Sequence, residues 1–396
     1  MSSLIFRKGL DLKHAVAGML SENYHSEVIA RIKESDFTYR AGRLTIHLAR
    51  EFGFCYGVDR AVDYAYQTRQ RFPDRRVFLT GEIIHNPHVN DKLRAMGIRF
   101  LTDPAESAET KTGLDQLEES DVVILPAFGV TIGMLQRLDR QGCTLVDTTC
   151  GSVLNVWKNV RRYTDGGYTS VIHGKVWHEE TQATASQAVE SGGRYLVVFD
   201  DVETRIVCDY IRQGGDRRAF LSRFANAISP GFDPDTDLQR IGLANQTTML
   251  MSQSLAIGDM LKDAMIARWG ALELDAHYKA FDTICSATQD RQDAVVALLR
   301  DHPIDLMVVI GGYNSSNTAN LSRICAGSRP TYHVAEPECL LSPDEIRHCP
   351  VGAKAEITTA GWLPASGPVT IGLTSGASTP DNLVGAAVAR LEAFCL

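Results

Sequence analysis

No apolar run in the 396-residue chain approaches the roughly 20 residues that a membrane-spanning helix needs, so no membrane partner is expected. A basic excess is missing as well. The net charge is −8, which argues against a nucleic-acid partner because nothing neutralises a phosphate backbone. Local basic patches remain able to hold a small anion. The opening residues, MSSLIFRKGLDLKHAV, lack the long apolar core of a secretion signal and soon turn acidic at Glu22 and Glu27. The expected location is therefore cytoplasmic. There is no CxxC pair, which weakens zinc-ribbon and thioredoxin readings. There is no GxxxxGKS/T loop and no GxGxxG after a strand, so neither a P-loop nucleotide site nor a dinucleotide cofactor is expected. No low-complexity tract or short repeat occurs.

What is present is an α/β pattern. Hydrophobic residues make up 44% and charged residues 22%, the balance of a soluble globular chain long enough for two or three lobes. Short runs of Val, Ile and Leu alternate with amphipathic helical stretches, the signature of mainly parallel sheets with crossover helices. The clearest predicted strands are 77–84, 121–128, 168–174, 194–199, 306–312 and 369–375. In open parallel sheets the binding groups lie beyond the carboxyl ends of strands. The first 40 residues read as a polar, partly helical extension. The Gly-, Pro- and Asp-rich segment 213–238 reads as an inserted excursion.

The nine cysteines are odd in number and irregular in spacing, which argues against a disulfide framework. The default role of any one is a small buried apolar residue. Cys55, Cys150 and Cys285 differ from the rest because each stands directly before a strong helical pattern. Val58, Ala61, Val62, Ala65 and Tyr66 follow the first at helical spacing, and Val153, Val156, Trp157 and Val160 follow the second. After the third, Ser286 or Thr288 is placed to cap a helix whose face is Ala294, Val295, Leu298 and Leu299. A helix N-terminus offers unpaired N–H groups and partial positive charge, both of which favour a metal-binding thiolate. Three ligands instead of four leave one metal position open, as in Lewis-acid catalysis. At this point a three-cysteine zinc site fits as well as an iron–sulfur cluster. Three similar placements suggest three similar α/β units.

Two polar loops look like anion cradles. Tyr313, Asn314, Ser315, Ser316 and Asn317 follow the strand at 306–312, and Ser375, Gly376, Ala377 and Ser378 follow the last strand. Each also reads as an ordinary turn. His85 and His178 lie beyond strands. Glu179 and Glu180 follow His178, where one carboxyl is placed to deliver protons and the pair is equally a helix-start acid pair. The run Asn245, Gln246, Thr247 and Thr248 could add its threonine hydroxyls to that relay or simply cap a helix.

These residues together resemble the 4-hydroxy-3-methylbut-2-enyl diphosphate reductase family. The matching segments, in order, are GFCYGVDRAV, IIHNPHV, LPAFGVT, VDTTC, HGKVWHEETQATAS, ANQTTML, DTICSATQDRQDA, YNSSNT and TSGASTPD, and they span residue 40 to the C-terminus. The long N-terminus, LPAFG and GFDPDTD are similar to the plant and cyanobacterial branch. The resemblance implies a trefoil of three similar α/β domains around a central 4Fe–4S cluster. It implies boundaries at 1–40 for the extension, 41–149, 150–283 with its insertion near 213–238, 284–370, and a returning C-terminal segment 371–396. Cys55, Cys150 and Cys285 become the cluster ligands. His85, His178, Ser315, Ser316, Asn317 and Ser378 become the diphosphate site, Glu180 and Thr247 the proton relay, and Thr248 its neighbour. The implied reaction is reductive dehydroxylation to isopentenyl and dimethylallyl diphosphate, the last step of the non-mevalonate isoprenoid pathway. A ferredoxin or flavodoxin is the implied electron donor. The alternatives are a non-enzymatic iron–sulfur sensor on the same scaffold and, less strongly, a zinc hydrolase. Two departures stand out: Phe128 replaces a diphosphate-binding histidine of short bacterial members, and Gly151 follows Cys150 where proline is common.

Overall fold

Runs of β-branched residues become the central strands, and the loops at their carboxyl ends carry the polar motifs. The computed structural model describes residues 4–101, 113–281 and 283–395. The chain divides into two compact units, one of Met1–Ile5 with Leu101–Cys285 and the other of Phe6–Phe100 with Ser286–Leu396. Both are α/β with mainly parallel sheets.

In the first unit, four parallel strands run in the order Tyr278–Ala280, Ile241–Asn245, Thr169–His173, Tyr195–Val198. Asn245 pairs with His173, so the loops beginning at Gln246 and Gly174 leave the same sheet edge side by side. A second parallel pair joins Val122–Leu125 to Thr144–Asp147. The main core is Val171, Leu196, Val198, Ile241 and Leu243 from the sheet with Val207, Ile211, Ile257, Leu261 and Met265 from two helices. Segment 213–238 contributes to this core, because Phe220, Phe224, Phe232 and Leu238 are buried in it. Ala227 O accepts from Val197 N, and Ser229 N donates to Tyr195 O, so the segment also covers the edge strand. Covering an edge removes unpaired backbone groups that would otherwise template aggregation.

In the second unit the order is Thr331–Val334, Leu306–Ile310, Val369–Ser375, Leu44–Leu48, Thr38–Ala41, parallel except for the last strand, which pairs back as a hairpin. Val77–Leu79 pairs in parallel with Ile98–Phe100. The strand expected over 77–84 stops at Leu79, because the chain turns before Gly81. The N-terminal extension forms helices Lys13–Tyr24 and Glu27–Glu34, the second capped by Ser26 Oγ. Its Ile29 and Ile32 enter the sheet's core. Each buried isoleucine is worth roughly 1.5–3 kcal/mol, enough to hold a short helix that would not form alone.

The three helices expected after cysteines form at Tyr56–Arg71, Gly151–Asp165 and Ser286–Asp301. Their buried faces include Ala61, Val62, Ala65 and Tyr66, then Val153, Val156 and Val160, then Val295 and Leu298. Thr288 lies inside the third helix and does not cap it. Among the described residues, no helix is long and apolar enough to cross a membrane.

Candidate active site

Cysteine burial separates the nine thiols into two groups. Cys143, Cys208, Cys325, Cys339, Cys349 and Cys395 are buried, whereas Cys55, Cys150 and Cys285 are half-buried. Cys55 and Cys150 occupy the N-cap positions of their helices in extended backbone geometry, and neither side chain caps its own helix. Cys285 directly precedes its helix.

The first unit brings Cys150, Cys285, His178, Glu180, Thr247 and Thr248 onto neighbouring strand-end loops. Cys150 is aimed by its own N–H, which donates to Ala127 O at 2.8 Å. Ser152, on the first turn of the same helix, donates its hydroxyl to Cys285 Sγ at 3.4 Å. Cys285 N in turn donates to Thr247 O at 3.3 Å. Glu180 is buried at 2% exposure, and both of its oxygens accept from one residue: Oε1 from Thr247 N at 2.5 Å and Oε2 from Thr247 Oγ1 at 3.0 Å. The neighbouring Glu179 side chain is 57% exposed, so the two halves of the acid pair have different fates.

His178 is the N-cap of helix Glu179–Glu190, with Nδ1 accepting from Glu180 N at 3.1 Å. An accepting Nδ1 places the neutral ring's proton on Nε2, which makes that nitrogen a donor. Phe128 meets this imidazole edge-on at 6.0 Å and 77°. The aromatic ring thus packs against a histidine and offers no donor of its own. Gln246, expected only as part of the polar run 245–248, ties the loops together. Its Oε1 accepts from Lys175 N and Thr181 Oγ1, and its Nε2 donates to Thr248 Oγ1 at 2.8 Å. Thr283 was missed; its hydroxyl accepts from Asn245 N and Nδ2 and so fixes the segment leading to Cys285.

The second unit gathers Cys55, His85, Ser315, Ser316, Asn317 and Ser378. Cys55 N donates to Ala377 O at 3.1 Å, and Ala377 N donates to Asn317 Oδ1 at 2.9 Å. Ser378 Oγ donates to His85 O at 3.3 Å. His85 Nδ1 contacts Glu82 Oε2 at 2.8 Å, which orients the ring. Ser315 caps helix Ser316–Ala326 by accepting from Thr318 N. Both predicted polar loops therefore meet at one place within this unit. Asn317 Nδ2 and Thr318 Oγ1 are buried there without a partner among the described residues. Buried donors of that kind are costly unless an acceptor arrives, and a phosphate oxygen is such an acceptor. Gly312 permits the approach, since a Cβ there would sit 2.6 Å from His85 O.

Comparisons with known proteins agree with this organisation. The family model described as LytB protein matches residues 46–392. A Gloeobacter violaceus protein named 4-hydroxy-3-methylbut-2-enyl diphosphate reductase is 48% identical over 387 residues, covering 98% of this chain and 91% of its own length. A Synechococcus protein of the same name is 50% identical over 386 residues, covering 97% and 92%. A solved structure of (E)-4-hydroxy-3-methyl-but-2-enyl diphosphate reductase, described as the terminal enzyme of the non-mevalonate pathway, matches with TM-score 0.51 and 25% identity over 88% of this chain and 99% of that one. The structure of E-1-hydroxy-2-methyl-but-2-enyl-4-diphosphate reductase from Plasmodium falciparum shares the fold, with TM-score 0.63 and 20% identity over 87% and 86%. Parallel α/β units with this similarity define an oxidoreductase. More narrowly, the chain belongs to the LytB family, that of the 4-hydroxy-3-methylbut-2-enyl diphosphate reductases.

Proposed function

We propose that this chain converts 4-hydroxy-3-methylbut-2-enyl diphosphate to isopentenyl and dimethylallyl diphosphate, using a 4Fe–4S cluster held by Cys55, Cys150 and Cys285. The observation that carries the proposal is the cysteine division: three half-buried thiols, each at a helix start, against six buried ones. That donor set fits the cluster. Thiolates are its usual ligands, helix-start N–H groups stabilise them, and the Ser152 hydroxyl on Cys285 Sγ is the kind of hydrogen bond that tunes a cluster sulfur. When bound through three thiolates, such a cluster supplies single electrons and one open Lewis-acid position.

The chain's own residues do the rest. Ser315, Ser316, Asn317 and Ser378, with His85 and His178, hold the diphosphate, and the buried Asn317 Nδ2 supplies a donor with no protein partner among the described residues. Anchoring the diphosphate fixes the position of the allylic hydroxyl. Glu180, which accepts from Thr247 Oγ1, forms with that hydroxyl the relay that delivers a proton, so that the substrate hydroxyl leaves as water. Thr248, held by Gln246, lines the same loop. The balance is one carbon–oxygen bond broken, two electrons and two protons taken up, and one water released. A ferredoxin or flavodoxin in the cytoplasm supplies the electrons. The test is anaerobic purification with iron and sulfide analysis, followed by turnover of the allylic diphosphate with a chemical reductant. Turnover by the loaded protein is expected; a loaded protein that never turns over would instead support a sensor.

A further inference from the structure

The helix that follows Cys285 carries a buried cation. Arg291 is 3% exposed, with Nη2 donating to Gly53 O at 2.8 Å and Nη1 donating to Ala287 O at 2.7 Å. Its Nε is buried without a partner, and among the described residues no carboxylate pairs with the guanidinium. Two carbonyls satisfy part of its five-donor fork, but they do not cancel a full positive charge, and arginine does not deprotonate. Asp381, whose Oδ1 would meet a Cβ on Gly53, pairs through Oδ2 with Lys33 Nζ at 2.8 Å. A buried charge left without a counter-charge is strongly destabilising.

What the guanidinium grips explains the arrangement. Gly53 lies two residues before Cys55 and has φ +80, a conformation that favours glycine. Its N–H donates to Ser375 Oγ at 3.0 Å, and Cys55 N donates to Ala377 O at 3.1 Å. Arg291, Ser375 and Ala377 therefore help to pin the loop presenting Cys55, and of these three Arg291 carries the charge.

We infer that Arg291 is a positioning residue whose buried charge compensates the negative charge of the thiolate-held cluster beside Cys55. The inference rests on the cluster assignment proposed above. Its consequence is a sign reversal between the loaded and the cluster-free chain. Without the cluster, the unmatched cation is a liability; with it, the cation offsets the thiolate charge and favours the reduced state.

The experiment compares wild type, Arg291→Met and Arg291→Lys, each as the full chain, anaerobically loaded with iron and sulfide or left cluster-free. Thermal midpoints and the cluster's midpoint potential are measured. In the Met variant the cluster-free midpoint is expected to stay level or rise, the loaded midpoint to fall, and the potential to shift more negative. The Lys variant, which keeps the charge, is expected to stay near the wild-type potential. A Met variant that is unfolded or lowered equally in both states marks Arg291 as merely structural and overturns the inference. Equal displacement of potential in Lys and Met, or failure of both to load while folded, overturns it as well. A wild-type chain that takes up no iron and sulfide sinks the cluster assignment itself, a separate outcome from either of these.

Discussion

One polar group in each unit is treated in the opposite way to the other. In the first, Glu180 is satisfied: both oxygens are occupied by Thr247, and Gln246 binds the surrounding loops to one another. In the second, Asn317 Nδ2 and Thr318 Oγ1 are buried donors with no partner among the described residues. A group that must move one proton along a fixed line benefits from preorganisation. A group that must receive a highly charged ligand benefits from leaving its donors open. Under the function proposed above, Glu180 handles a proton and Asn317 an anion, so the contrast is between these two groups.

The comparison breaks most completely at the three half-buried cysteines, one of which belongs to the second unit and two to the first. Cys55→Ser, Cys150→Ser and Cys285→Ser should each lose most of the iron measured after anaerobic purification, whereas Cys143→Ser or Cys325→Ser, at buried positions, should keep it. Normal iron in all three variants would remove the cluster assignment. The two groups part company at the next step down. Glu180→Gln should retain iron and lose turnover by on the order of 10²- to 10⁴-fold, the usual range for general acid–base groups. In contrast, Asn317→Ala should raise KM by roughly 10- to 100-fold with little change in kcat, since a hydrogen bond to a charged group is worth about 1.5–3 kcal/mol. Steady-state kinetics decide both. A kcat loss at Asn317 or a KM loss at Glu180 would reverse the division of labour.

A smaller effect tests what the units share. Each buries a histidine near a strand end: His173, whose Nδ1 meets Ser254 Oγ at 2.8 Å, and His333, whose Nε2 meets Gly311 O at 2.9 Å. Burial pushes each pKa down to about 4 from the ordinary 6.5. Between those values the unfolded chain binds more protons than the folded one. The stability is fully present above pH 6.5 and is lost as pH falls toward 4, on the order of 3 kcal/mol for each histidine. Urea titrations across that window should show the loss, and His173→Gln or His333→Gln should each flatten it. An unchanged acid slope in both variants would place the proton uptake elsewhere.

Much of this was readable from residues alone because the signals are local. Val, Ile and Leu runs marked all six expected strands, and the helical faces after Cys55, Cys150 and Cys285 pack as their spacing implied. The pair Glu179 and Glu180 could not be separated by sequence, since both sit in the first turn of one helix. Only packing buries the second against Thr247, 67 residues away in the chain. The tying role of Gln246 and the part played by Thr283 were hidden for the same reason, as each acts through distant partners. Arg291 did leave a trace. It falls four and seven residues before Val295 and Leu298, at the spacing of the helix's buried face.

By itself, then, the sequence determined the strand and helix periodicity, the helix starts behind three cysteines and the polar loops at strand ends, because these depend on backbone preference and on side-chain spacing within a few residues. The tertiary structure decided which thiols stay half-buried, which carboxylate is enclosed, which donors are left waiting and where a lone guanidinium is buried. Those outcomes follow from desolvation and from partners far apart in the chain, and neither quantity exists until the sheets and helices have packed.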